Sequence, residues 1–181
     1  MTRRIILFLL AALGPMAAPG FCQQSPPAPL RIFLNEVQPG TLSAPQYCTL
    51  VFNDRHFHSE RANIKHGHDS DRKVYEGQLS EADWSALIAV IDGKEFRDLK
   101  IPAYVPPPVM QDTHPYTISV ARDNDFQNME FLDNKSLKPY EPQVKPLLQW
   151  WKTLRGRHTP ESNLPADARC ALDKTHAIFS Q

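Results

Sequence analysis

Three cysteines, Cys22, Cys48 and Cys170, constrain this 181-residue chain more than any other feature. The opening residues MTRRIILFLLAALGPMAAPGFCQQ place Arg3 and Arg4 before an apolar run from Ile5 to Leu13, followed by small and then polar residues. That pattern reads as a signal peptide over residues 1–22, so the chain is expected to be secreted or periplasmic. Cleavage after Gly20 and cleavage after Cys22 both fit the small residues there, whereas lipid attachment at Cys22 does not, because Phe21 is bulky. Losing Cys22 leaves an even pair in a compartment that permits disulfides, so Cys48 and Cys170 are expected to join. Such a bridge closes a very long loop, and the chain-entropy model gives it at most ~4–5 kcal/mol. It obliges the first clear strand to lie beside the C-terminal tail.

Once Arg3 and Arg4 are removed, 18 basic residues face 20 acidic ones and the formal charge is −2. Bulk electrostatics then gives no reason to expect nucleic acid or an anionic membrane as a partner. The leader's apolar run is short, and no second run of the ~18 residues needed to cross a bilayer follows, so no transmembrane segment is expected in the mature chain. The remainder suits one domain with one core.

Residues 23–46 read as a Pro-rich extended segment in which RIFLNEV is at most a short strand, broken by QPGTLSAPQ. The domain proper is expected over residues 47–158, with 159–181 as a tail held by the disulfide. YCTLVF sets Cys48, Leu50 and Phe52 on one face before the turn formers Asn53 and Asp54. RHFHSERA is then the returning strand, NIKHGHDSD a loop and RKVYEGQ a third strand. In LSEADWSALIAVIDG, Ser80 is a cap, Trp84, Leu87, Ile88 and Ile91 form one stripe, and Gly93 is a left-handed stop. YTISVARDNDFQNMEFLDN predicts a second hairpin about RDND. EPQVKPLLQWWKTLRGR predicts a helix with Val144, Leu147, Leu148, Trp151 and Leu154 on one face, its regular start delayed to Pro146. The order hairpin, helix, hairpin, helix predicts an α+β fold. It would be an antiparallel sheet of about five strands with two amphipathic helices packed on one face.

The stretch KVYEGQLSEADWSALIAVI, a strand ending in YEG before a helix that opens LS and buries a Trp and a Leu, resembles small secreted bacterial proteins of unknown function. The resemblance implies an exported bacterial domain and transfers no activity and no site residue.

RHFHSERANIKHGHDSDR holds four of the seven histidines: His56, His58, His66 and His68. If the hairpin turns about Ala62, His58 faces His66 and His56 faces His68. Four imidazoles on one face suit zinc or copper, with Asp69 or Asp71 as oxygen ligands. If it turns at Asn53–Asp54, Phe57 enters the core opposite Leu50, while His56, His58 and Glu60 line the solvent face and His66 and His68 sit in a separate loop. The second register is preferred because it buries Phe57, and a one-residue slip would reverse every side chain.

The acidic turns at Asp69/Asp71 and Asp123/Asp125 lack the glycine and the bidentate acid of a calcium loop. G-x-S-x-G, H-E-x-x-H, a phosphate loop and a Gly-rich dinucleotide turn are all missing. Asp112 and His114 are candidate general-base groups of a hydrolase, with no nucleophile indicated. They flank a stretch whose prolines at 102, 106, 107, 108 and 115 forbid a helix, and irregular stretches of that length in compact domains tend to carry function. Tyr104 and Val105 from this stretch, with Trp150 from the last helix, make an apolar patch suited to a macromolecular partner. The sequence thus reads as a non-enzymatic exported domain that binds a protein or cell-envelope component through Tyr104, Val105 and Trp150. Zinc or copper binding by His56, His58, His66 and His68 is the second reading, a hydrolase the third, and no other cofactor is expected.

Overall fold

A three-residue loop sets the register of the sheet. In the computed structural model, which describes residues 28–38, 44–65, 68–102, 116–157 and 170, with backbone alone at 64, 65 and 68–71, strand β2 (Ala44–Phe52) turns into β3 (His56–Lys65) through Asn53, Asp54 and Arg55. The Arg55 N–H donates to the Phe52 carbonyl at 2.9 Å, and Arg55 itself has φ 71°, in the left-handed region. A left-handed third residue is what a three-residue hairpin loop demands. The turn therefore falls where Asn53 and Asp54 put it, but one residue longer than a two-residue turn. Phe57 consequently lies opposite Val51, not opposite Leu50, and Leu50 faces His58.

Six strands form one antiparallel sheet in the order β4-β3-β2-β1-β5-β6, with β1 at Leu30–Val37, β4 at His68–Gln78, β5 at Tyr116–Ala121 and β6 at Phe126–Phe131. The sheet is thus one strand larger than expected, and a four-stranded meander precedes the first helix where three strands were expected. The extra strand, β1, pairs with both β2 and β5. The fold accordingly begins inside residues 23–46 and not at 47. The alternation LRIFLN explains why: Ile32 and Leu34 enter the helix-side core while Phe33 and Asn35 are buried on the opposite side. A strand covered on both faces has no polar side to announce it.

Strand β4 also starts earlier than Arg72, because the β3–β4 ladder runs on to Lys65↔His68. Ala62 marks a register shift between Arg61 and Asn63 and is not a turn. Gly77 lies opposite Phe57, and a Cβ there would come within 2.7 Å of the Phe57 ring, so the ring packs where only a glycine leaves room.

Helix α1 (Glu81–Ile91) starts as its sequence dictates. The Ser80 Oγ accepts the Asp83 N–H at 3.1 Å, Glu81 and Asp83 sit at the positive end of the dipole, and Leu87 and Ile91 are fully buried. Gly93 is not its left-handed stop: at φ −58° it opens the short α2 (Lys94–Arg97), which inserts Phe96 into the core. After β6, α3 (Asn134–Leu137) is closed by a reciprocal Asp133/Ser136 capping box, and a 3-10 turn (Lys138–Tyr140) leads into α4 (Glu141–Arg155).

Helix α4 runs through Pro146 and does not wait for it. An interior proline costs ~3 kcal/mol. Burying Val144, Leu147, Trp151 and Leu154 supplies ~1.5–3 kcal/mol each, so packing wins. The stripes of α1 and α4 share one core with Ile32, Leu34, Val51, Phe57, Ile118 and Val120, and the Trp151 Nε1–H donates to Thr49 Oγ1 at 2.7 Å. The two helices meet at Asp83. Its carbonyl accepts the Trp150 Nε1–H at 3.0 Å, and its carboxylate accepts two bonds from Arg157 at 2.5 and 2.7 Å, which hold its pKa down at about 2. Among the described residues no helix is long and apolar enough to cross a membrane.

Replacing Arg55 by glycine should raise stability by about 1 kcal/mol, since a left-handed non-glycine residue costs roughly 1–2 kcal/mol. The ion pair to Glu81 that would be lost is exposed and worth little. Denaturant unfolding of Arg55→Gly checks this; a lower midpoint would mean that the Arg55 side chain outweighs its backbone strain.

Candidate functional site

The one-residue shift at Arg55 carries His58 and Glu60 to the face that holds Cys48, the face turned away from the helices. Cys48 and Cys170 form a disulfide with their Cα atoms 6.0 Å apart, and Phe33, Leu50 and the two half-cystines make a second, smaller apolar cluster there. The expectation that His58 and Glu60 line a solvent face is thereby overturned: they are 7% and 2% exposed. The apolar cluster around Cys170 accompanies that loss of exposure.

These buried charges are paired, as buried charges must be. The His58 ring lies between two carboxylates, with Nδ1 against Glu76 Oε1 and Nε2 2.8 Å from Glu60 Oε1. Glu60 Oε1 also accepts the Cys170 N–H at 2.7 Å, and Glu60 Oε2 accepts from Arg72. His56 Nε2 lies 2.6 Å from the second oxygen of Glu76. Burial alone would depress the His58 pKa. The hydrogen bonds and charges of Glu60 and Glu76 together outweigh it and raise the pKa above the ordinary 6.5, which favours the imidazolium more than in a free histidine.

Among the described side chains, His56 and His58 share this place. Glu76, directly opposite His58 on β4, stands between them. His68 pairs with Lys65 at the far end of the ladder, and His66 lies outside the described residues. Among the described residues, the metal-type donors that converge are His58, Glu60 and Cys170, whose ligand atoms all fall within 4.8 Å of one another. The polar alternation of His58, Glu60 and Glu76 was visible in the sequence, but nothing local said that residue 170 would lie over it.

On the helix side, the same two strands open a second feature. A cleft of about 390 Å³ lies between β3–β4 and the end of α4, lined by Tyr47, Arg61, Lys73, Tyr75, Arg155 and Arg157. Arg61 sits directly between Tyr47 on β2 and Lys73 on β4. The Arg155 guanidinium lies 4.4 Å from the Tyr47 ring centroid and 4.3 Å from that of Trp151, and it donates to buried Glu36. Glu36 also accepts the Tyr116 O–H at 3.1 Å; burial, then the Glu36 charge, pushes the Tyr116 pKa up to about 12. Glu60 borders the cleft through β3, but its carboxylate points to the other face, toward His58.

Trp150 is half-buried and committed to the Asp83 carbonyl, so it serves the α1–α4 junction. Tyr104, Val105, Asp112 and His114 lie outside the described residues. No protein-family model matches the chain, and no curated protein matches it.

Because the folded pKa of His58 is raised, its contribution to stability is fully present below pH 6.5 and is lost as the pH rises through the folded value. Unfolding free energy measured against pH should fall over that window in the wild type, and the fall should flatten in His58→Gln. A wild-type rise there relative to the variant would mean that His58 is buried neutral.

Proposed function

We propose that this chain is an exported, non-enzymatic binding domain that takes a small anionic ligand in the cleft between β3–β4 and the end of α4. The observation that carries the reading is the basic lining of a concave site, to which Arg61, Lys73, Arg155 and Arg157 all contribute. A carboxylate or phosphate placed there accepts charge-assisted hydrogen bonds from such side chains. Tyr47 and Tyr75 add ring surface for a flat apolar part of the ligand. The volume lies within the range of ~300–1,000 Å³ usual for small-molecule sites.

The serine that lines the cleft supports binding over catalysis. Ser59 Oγ is engaged with Thr49 Oγ1 at 2.7 Å and with the Cys48 carbonyl at 3.1 Å, which leaves it without a base to activate it. The disulfide supports an oxidising, extracytoplasmic setting, so the ligand is a molecule met there, such as an anionic component of the cell envelope.

Phenyl phosphate, inorganic phosphate and benzyl alcohol, titrated separately and followed by NMR, distinguish the contributions. Phenyl phosphate should perturb the Tyr47 and Tyr75 resonances and bind more tightly than inorganic phosphate. Arg61→Ala/Lys73→Ala should weaken it by about tenfold or more, and added salt should weaken it further. Equal responses to benzyl alcohol, or unchanged affinity in the double variant, would remove the reading.

A further inference from the structure

We propose that when the Cys48–Cys170 disulfide is reduced, the two thiolates join His58 Nε2 and Glu60 as a four-ligand site for a zinc-class divalent cation. The inference is independent of the basic cleft, which opens on the other side of the sheet. Its geometric basis is the cluster of His58, Glu60 and Cys170, all buried, with donor atoms within 4.8 Å. The Cys48 sulfur lies outside that group but is covalently attached to the Cys170 sulfur, so a fourth donor stands at its edge. In the oxidised protein only His58 and Glu60 can act as ligands, because disulfide sulfurs carry no thiolate charge.

The orientation of the imidazole is the telling feature. Metal-bound histidines usually donate their other ring N–H to a carboxylate, which fixes the tautomer and strengthens the ligand. His58 is already held this way, with Nδ1 against Glu76, whose other oxygen lies 2.6 Å from His56 Nε2. Nε2 is the nitrogen that points to Glu60. A purely structural ion cluster needs no cysteine pair beside it, whereas two thiolates, an imidazole and a carboxylate match the donor set that zinc prefers. With zinc–ligand bonds of ~2.0–2.3 Å the wider-spaced donors must draw together by on the order of 1 Å, while His58 Nε2 and Glu60, now 2.8 Å apart, part slightly to admit the ion. Two thiolates, Glu60 and neutral His58 around a divalent ion leave one net negative charge, and Arg72, bonded to Glu60, lies next to it.

The step balances. A dithiol reductant gives two electrons and two protons to the Cys48–Cys170 bond, which opens to two thiols as the reductant's own sulfurs pair. The arriving ion displaces both thiol protons to solvent, together with the Nε2 proton wherever His58 is charged, and Glu60 turns from Nε2 to the ion. An oxidant of the disulfide class reverses the sequence and expels the metal.

The full chain, oxidised or reduced with a phosphine, is titrated with Zn²⁺ against a chromophoric chelator and with Co²⁺ for the thiolate-to-cobalt absorption band. The reduced chain should bind one zinc, about 100-fold or more tightly than the oxidised chain, and show the cobalt band. His58→Ala and Cys48→Ser/Cys170→Ser should each lose that affinity. Glu76→Gln, which alters a positioning residue, should keep the stoichiometry and the band but weaken binding by about 10–100-fold. Equal uptake by both redox forms, no uptake by the reduced chain, or full uptake by reduced His58→Ala would overturn the assignment. If the reduced metal-free chain unfolds, recovery of near-ultraviolet circular dichroism on adding zinc supports the site. Failure to recover, with no cobalt band, overturns it.

Discussion

The left-handed conformation of Arg55 is the constraint on which the two faces of this sheet depend. It makes the β2–β3 loop three residues long and places Phe57 against Val51 under the helices. The same register sets His58 beside Leu50 and Glu60 beside Cys48. A two-residue turn would shift the pairing by one and exchange the faces, driving His58 into the helix-side core and Phe57 toward the disulfide. The Phe57 ring over Gly77 matches the observed register at the next ladder, since any larger residue at 77 would obstruct it.

From that register follow two cores of different character. The helix-side core is apolar and broad, running from Phe57 through Ile32 and Ile118 to Phe131 and filled from above by α1, α2 and α4. The opposite core is narrow and partly ionic. It covers β1, β2 and β3, while the far strand β6 leaves Asn128 and Glu130 exposed on that side. Removing one partner from a buried ion pair typically costs ~3–5 kcal/mol because the other charge stays behind. Glu60, with bonds to His58, Arg72 and the Cys170 N–H, is the member whose loss would strand most partners.

Much of the local architecture was legible. Ser80 and the period of Leu87 and Ile91 marked α1, the stripe Val144, Leu147, Trp151 and Leu154 marked α4, and the β5–β6 hairpin turned within RDND. Each is a short-range pattern whose cause lies within a few turns of helix or a few residues of strand. What escaped was non-local. The central place of β1 was hidden because its two faces are both buried, and Pro146 was overruled by the burial of residues after it. The convergence of Arg61, Lys73 and Arg155 on one cleft needed the ladder register and the end point of α4 together.

By itself the sequence determined the class of fold, the position of the β2–β3 turn, the two long helices and, through cysteine parity, which two sulfurs meet. These follow from backbone propensities, apolar periods and the number of cysteines, all of which act locally or by simple counting. Only the tertiary structure decided which polar residues would be taken out of water. Glu60 and the Cys170 N–H that binds it are 110 residues apart. No local period encodes a cover that arrives from so far along the chain, so a strand face that reads as solvated in isolation becomes a buried cluster of charges and sulfur once residue 170 is laid across it.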